Sequence, residues 1–257
     1  MKFDTQVDAF QHHPLGQRFP DSPHAVCVSL PTMADVIGYE EKDPAVVETM
    51  KSGYPRFFLP EFVRQLAEHI ANEISSEPRD VLLVNSSRAA SELLAFIGLP
   101  SAKAEDEDGF AYIHFPQDPD TYKKALNFLQ HTGCGISSRQ AEDLLLREGL
   151  LSSIFAEETV PADLAESTVH QNLSSIVGIP EDDILLCNSG MNAFYAAYLA
   201  ACEIQRPQGR DIWIQLGWLY LDTREILEKF LGPDERLIRH LDVFDVDGLE
   251  SLFRENR

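Results

Sequence analysis

Asn188-Ser189-Gly190-Met191 is a stretch whose residue types and spacing could do chemistry. It closes a short apolar run, Ile184-Leu185-Leu186-Cys187, and opens "MNAFYAAYLAACEIQ", small and apolar residues at helical spacing. A buried strand is expected to hand over here to a buried helix. A helix that begins just after Ser189 leaves its first backbone N–H groups without intrahelical acceptors, and its N-terminus carries partial positive charge. Gly190 has no Cβ, so an anion can approach the backbone closely. Together these features make a cup for a phosphate group. The same residues also read as ordinary punctuation, Ser189 as a helix N-cap and Gly190 as relief in a tight turn. Spacing leaves both readings open.

Two further places could serve such a cup. Tyr220, in "QLGWLYLDT", follows the next apolar strand pattern, where an aromatic face could cover a flat ligand. It could equally be a core or interface ring. Tyr54 and Arg56, in "SGYPRF", stand two residues apart beside a turn, and in an extended segment that spacing puts both side chains on one side. Arginine binds phosphate bidentately, so the pair could close a cup from outside. Arg56 reads as well as a surface residue packed on Phe57 or Phe58.

The elements that must position these residues are clearest from 165 onward. A helix at "AESTVHQNLSSIVGI" is followed by the strand pattern "DILLCN", the helix "MNAFYAAYLAACEIQ" and the strand "DIWIQLG". A short helix "TREILEKFLGP" and a last strand "LIRHLDVFD" complete the series. Strands and helices alternating through short links predict an α/β chain with a mainly parallel sheet covered by helices. Such sheets place ligands at the carboxyl ends of their strands, where Gly190 and Tyr220 fall. Upstream, residues 61–160 read as a helix-rich region with short strands. "AKAEDEDG" (102–109) reads as a solvated loop, and "DVLLVNSSRAASELLAFIGL" (80–99) as a short apolar run before a helix.

Composition excludes several classes. With 21 Lys+Arg against 42 Asp+Glu among 257 residues, the formal charge is −21, which repels nucleic acid and anionic lipid. No apolar run is long enough to span a bilayer. The first residues lack the apolar core of a signal peptide, so a soluble, cytoplasmic protein is expected. Cys27, Cys134, Cys187 and Cys202 have no metal-ligand spacing, and no metal site is expected. His12, His13 and His24 read as part of a polar arm.

The ordered set of motifs resembles a known family. "SGM" after a strand pattern, a tyrosine followed two residues on by Asp222-Thr223, and an upstream Tyr-x-Arg occur in this order in the Cys/Met-metabolism enzymes that use pyridoxal 5′-phosphate. "PHAVCVSLPTMADVIGYEEKDPAVVETMKSGYPRFF" is similar to the opening of the fungal type of cystathionine γ-synthase, and "QHTGCGISSRQAE" to a segment of their extra region. The resemblance covers most of residues 23–250. It implies part of the fold type I (aspartate-aminotransferase-like) transferase architecture with pyridoxal 5′-phosphate as cofactor, residues 1–60 forming an N-terminal arm and 161–257 the first half of the cofactor-binding α/β domain. Gly190 and Met191 would offer backbone N–H groups to the cofactor phosphate and Tyr220 would stack on the pyridine ring. Tyr54 and Arg56 would reach a neighbouring subunit's phosphate, which implies a homo-oligomer with an arm embracing its partner. Phe57-Phe58-Leu59-Pro60 and Leu221-Asp222 depart from the family's usual residues after these two tyrosines.

The family also uses an aspartate that pairs with the pyridinium nitrogen and a lysine that forms the Schiff base, both beyond the strand pattern "LIRHLDVFD". None of Lys2, Lys42, Lys51, Lys103, Lys123, Lys124 and Lys229 is a candidate, so no catalytic residue is assigned to this chain. The expectation is the N-terminal part of a cystathionine γ-synthase-like enzyme of methionine biosynthesis, making cystathionine from an O-acylhomoserine and cysteine and inactive alone. It would pair with a complementary C-terminal half or a full-length homologue. The alternative is a non-catalytic relative pairing with a full-length partner.

Overall fold

The computed structural model describes residues 13–50, 52 and 58–256. Tyr54 and Arg56 lie outside the described residues. In chain order the strands and helices are β1 (Arg18–Phe19), β2 (Cys27–Val28), α1 (Met33–Glu41), α2 (Pro44–Val47), α3 (Glu61–Ile74), β3 (Arg79–Val84) and α4 (Ser87–Ile97). There follow β4 (Lys103–Glu107), β5 (Phe110–Pro116), α5 (Pro119–Thr132), α6 (Ser138–Arg147) and α7 (Ala162–Val177). The chain ends with α8 (Gly190–Gln205), β6 (Ile212–Leu216), α9 (Leu221–Lys229), β7 (Arg236–His240) and α10 (Val246–Glu255).

These elements form two compact units between which the chain passes more than once. One unit comprises residues up to Leu83 with Ser101–Asp118 and Ile136–Thr159. Its sheet runs in the order β3-β5-β4, with β4 antiparallel to β5. Val63, Leu66 and Ile70 recur on one face of α3 and bury against Val81, Leu83, Phe110 and Tyr112 of the sheet, with Ala141 and Leu145 of α6 closing the core. The acidic stretch expected as a loop is instead the edge strand β4. Every side chain of β4 is exposed, so it shows no apolar alternation, and its order comes from backbone pairing with β5. An edge dense in carboxylates also resists pairing with other chains.

The other unit comprises Val84–Pro100, Pro119–Gly135 and Val160–Arg257. β6 and β7 pair in parallel, joined by α9 as the crossover helix. Tyr195, Tyr198 and Cys202 recur on one face of α8 and pack against Ile226 and Leu227 of α9, with Trp213 and Leu237 from the two strands. The α/β class stands, with β6–β7 parallel in the stretch from 165 onward and β1–β2 and β4–β5 antiparallel. "DILLCN" is not a strand here. Residues 184–188 have no regular structure, and Leu185 is 90% exposed. A strand exists through its ladder, and no described strand pairs with this run. Nor is α8 buried all round: Ala193, Ala196, Ala197 and Ala200 face outward. Among the described residues, no helix is long and apolar enough to cross a membrane.

Candidate functional site

Ser189 caps α8 from an extended backbone conformation, its Oγ accepting from the Asn192 N–H at 3.1 Å. Its hydroxyl then donates to the Gly133 carbonyl at 3.2 Å. On either side, the Asn188 amide donates to the Gly135 carbonyl at 2.9 Å and the Asn192 amide to the Thr132 carbonyl at 3.3 Å. The turn after α5 is thus held against the first turn of α8 by three side chains of the Asn-Ser-Gly-Met-Asn run. Such an approach needs glycine at 133. Its φ is +61°, and a Cβ there would stand 2.3 Å from Ser189 Oγ and 2.8 Å from the Asn192 nitrogen. At Gly190 the opposite holds: no atom lies within 4 Å of where a Cβ would be.

The N-cap reading of Ser189 is therefore correct, and it leaves the cup intact. Ser189 satisfies the third N–H of the helix, while Gly190 and Met191 present the first two. The space in front of Gly190 is open. A tetrahedral anion fits that arrangement: backbone donors, partial positive charge from a 16-residue helix, and no side chain in the way.

Tyr220 is the N-cap residue of α9, and its side chain is half-exposed. The end of α5 connects it to the cup. The His131 ring lies against Asp222, with Nδ1 3.3 Å from Oδ1, while the next residue, Thr132, accepts from Asn192. Consecutive residues of α5 thus touch the starts of α9 and α8, two residues beyond Tyr220 and two beyond Gly190. The topology agrees, since α8 and β6 run in opposite senses through a tight link and the N-terminus of α8 returns to the carboxyl end of β6. The first turns of α8 and α9 are thus both tied to the end of α5.

Sequence reasoning gave no role to Gln130 or His131, and met Asp222 only within the tyrosine motif and Lys229 only as a lysine set aside for the Schiff base. His131 and Asp222 are almost wholly buried, and their pairing joins positions 91 apart, which no local pattern reveals. It also missed a cleft of about 230 Å³ between α4 and α8, with Cys134 in its lining. There Arg88 donates to Glu92 and Glu203, each at 2.9 Å, and the Tyr195 hydroxyl donates to Glu92 at 3.0 Å. Burial pushes the Cys134 thiol up to about 11, so it stays protonated at neutral pH. A signal for this pair of helices was present: Asp-x-Leu-Leu-x-Asn-Ser occurs at 80–86 and again at 183–189, each time ending in a serine N-cap. His24, expected in a polar arm, is buried in the first unit, its ring between the Ser138 hydroxyl and Glu142. Among the described residues, no group of three His, Cys, Asp or Glu side chains could hold a metal ion.

The start of α8 is open at Gly190, and Tyr220 stands just beyond β6 at the start of α9. Comparison with known proteins supplies the family: this chain is a homologue of cystathionine γ-synthase-like enzymes, and its resemblance to their N-terminal portion is shown. It is 38% identical over 237 residues to an L-2-amino-4-chloropent-4-enoate dechlorinase/desaturase of Streptantibioticus cattleyicolor, covering 91% of this chain and 46% of the relative. It is 25% identical over 359 residues to the cystathionine γ-synthase of Neurospora crassa, covering 92% of this chain and 58% of that protein. A cystathionine γ-synthase-like enzyme of Amanita muscaria is 27% identical over 346 residues, 98% of this chain and 54% of its own length. The chain spans about half the length of these curated relatives. No family model and no solved structure matches it.

Proposed function

We propose that this chain is the cofactor-holding part of a pyridoxal 5′-phosphate-dependent enzyme of fold type I. Gly190 and Met191 bind the phosphate through their backbone N–H groups, and Tyr220 lays its ring on the pyridine. Ser189 contributes by orienting the first turn of α8 and not by touching the phosphate, because its hydroxyl is already engaged by Gly133 and Asn192. The bound cofactor supplies an electron sink for an amino-acid substrate. The observation that carries this reading is the open space at Gly190 beside a turn that closes the rest of the helix start.

The names of the relatives suggest where on the substrate the assembled enzyme acts. The dechlorinase/desaturase is named for an L-2-amino acid with chlorine at C4. Cystathionine synthesis from an O-acylhomoserine likewise releases a group from C4. Loss or replacement of a substituent at that carbon is the proposed reaction, with transsulfuration its first form. No lysine of this chain stands where the resemblance requires one, so the chain alone is expected to bind without turnover.

A partner belongs to the same proposal. At 80–84 the repeated pattern is a buried strand, with Leu82 and Leu83 at 1% and 2% exposure. At 184–187 it is unpaired, with Leu185 and Leu186 at 90% and 41%. We assign this second run to pairing with a strand from the portion of the relatives that this chain does not match. Titration of the purified chain with pyridoxal 5′-phosphate, followed by quenching of Trp218 emission, tests the cofactor reading. Saturable binding is expected, weaker for pyridoxal without phosphate and roughly 3–10-fold weaker in Tyr220→Ala, as loss of one ring contact predicts. Equal affinity for pyridoxal and its phosphate overturns the reading.

A further inference from the structure

One imidazole touches both ends of α9. Lys229, in its last turn, donates from Nζ to His131 Nε2 at 2.8 Å. Nε2 must then accept, so the ring is neutral and its remaining proton is on Nδ1, which lies 3.3 Å from Asp222 Oδ1 in the first turn, an electrostatic contact whose angle falls short of a hydrogen bond. The Gln130 amide reaches the same oxygen at 3.3 Å, and Lys229 is also paired with Glu225 at 3.1 Å. His131 and Asp222 are 3% and 1% exposed. A buried carboxylate costs desolvation that an apolar residue of like volume would avoid, so the relay does something other than fill space. A carboxylate at the second helical position also suits the positive end of α9.

We propose that the Lys229–His131–Asp222 relay is a positioning device that fixes the start of α9, and with it Tyr220, against the turn carrying Gly190 and Met191. This rests on the cofactor reading above. His131 does not touch the ligand; it acts through Asp222. The geometry gives the device a pH dependence. Protonating His131 would set an imidazolium 2.8 Å from the Lys229 ammonium, and the charged groups that face the ring, Asp222, Glu225 and Lys229, all lie on α9. Burial and then Lys229 hold the ring's pKa below its usual value, so the relay is intact at neutral pH and opens as the solution is acidified.

The test is the same titration on the whole chain, repeated across pH for wild type, Lys229→Met, His131→Ala and His131→Asn. The asparagine amide can keep a donor toward Asp222 without titrating. Lys229→Met is expected to weaken binding roughly tenfold, a coupling typical of hydrogen-bonded neighbours, with little change in melting temperature. His131→Asn should bind better than His131→Ala and lose the acid-side fall in affinity that wild type shows. Identical affinities and pH profiles in all four proteins overturn the proposal. Should the His131 variants not fold, Lys229→Met decides the matter, since Lys229 sits at the edge of the relay with its side chain 34% exposed. If wild type binds no cofactor, the cofactor reading falls and hydrogen exchange at 218–224 judges the relay. Exchange faster in Lys229→Met supports it, and unchanged exchange refutes it.

Discussion

Replacing Gly133 with alanine should disrupt the helix start that is proposed to hold the cofactor phosphate. Three costs combine. An L-residue held at φ +61° gives up about 1–2 kcal/mol relative to glycine. The new methyl would lie 2.3 Å from Ser189 Oγ, so the serine must rotate and abandon its cap on Asn192, a loss of about 1 kcal/mol. It would also lie 2.8 Å from the Asn192 nitrogen and 3.0 Å from Met191 Cβ. Backbone atoms cannot yield without shifting the first turn of α8, and such overpacking typically costs about 1–3 kcal/mol. A loss of about 3–6 kcal/mol is expected, a large share of the stability of an ordinary domain. Chemical denaturation followed by circular dichroism measures it. Gly190→Ala is the control: with nothing within 4 Å and a helical position, it should be neutral or stabilising by up to about 1 kcal/mol. That same methyl enters the space assigned to the phosphate, so Gly190→Ala should bind cofactor less well while folding normally. A Gly133→Ala protein within about 0.5 kcal/mol of wild type, or a Gly190→Ala protein as damaged as Gly133→Ala, would show that the packing described here is wrong.

Native thiol labelling should be biphasic. Cys27 and Cys187 are exposed and react at once, whereas Cys134 and Cys202 are buried with raised pKa values and react only on unfolding; mass spectrometry of the labelled chain reads this directly. Glu235 accepts a bidentate pair from Arg206 at 2.9 and 2.8 Å and a backbone N–H from Gly232, which hold its carboxyl at about 2. Its contribution is therefore present above the usual carboxylate range and is lost as pH falls through about 2. Glu235→Gln should cost about 1–3 kcal/mol at neutral pH and flatten the acid limb of a stability–pH curve. His24→Ala leaves Glu142 buried without its imidazole partner, at a cost of about 1–3 kcal/mol, and should speed proteolysis within 13–31.

The helices were legible wherever one face carried a clear apolar period. "TREILEKFLGP" became α9 because its buried residues recur one helical turn apart, as those of α5 and α6 do. β4 was not legible, since a strand exposed on every side chain has no alternation to read. At the candidate site, the start of α8 was legible because a cap followed by a glycine is a local signal. The contacts among His131, Asp222 and Lys229 were not, because they depend on how α5 meets α9. Gly133 lies in the segment "QHTGCGISSRQAE" that the resemblance picks out, but its role is defined only by Ser189 and Asn192 arriving from 56 or more residues away.

The repeated Asp-x-Leu-Leu-x-Asn-Ser pattern separates what local sequence decides from what pairing decides. Both copies form the same turn and the same serine cap, and the asparagine of each reaches the turn at 134–135, Asn85 through its backbone N–H and Asn188 through its side chain. The residues before the turn differ in outcome although their types do not. Val81-Leu82-Leu83-Val84 is a strand beside β5, whereas Ile184-Leu185-Leu186-Cys187 is an exposed extended run. Cap and turn chemistry are satisfied within a few residues, but a ladder needs a second strand to supply its donors and acceptors. The run at 184–187 has its turn, its cap and its helix, and among the described strands it lacks only a paired neighbour.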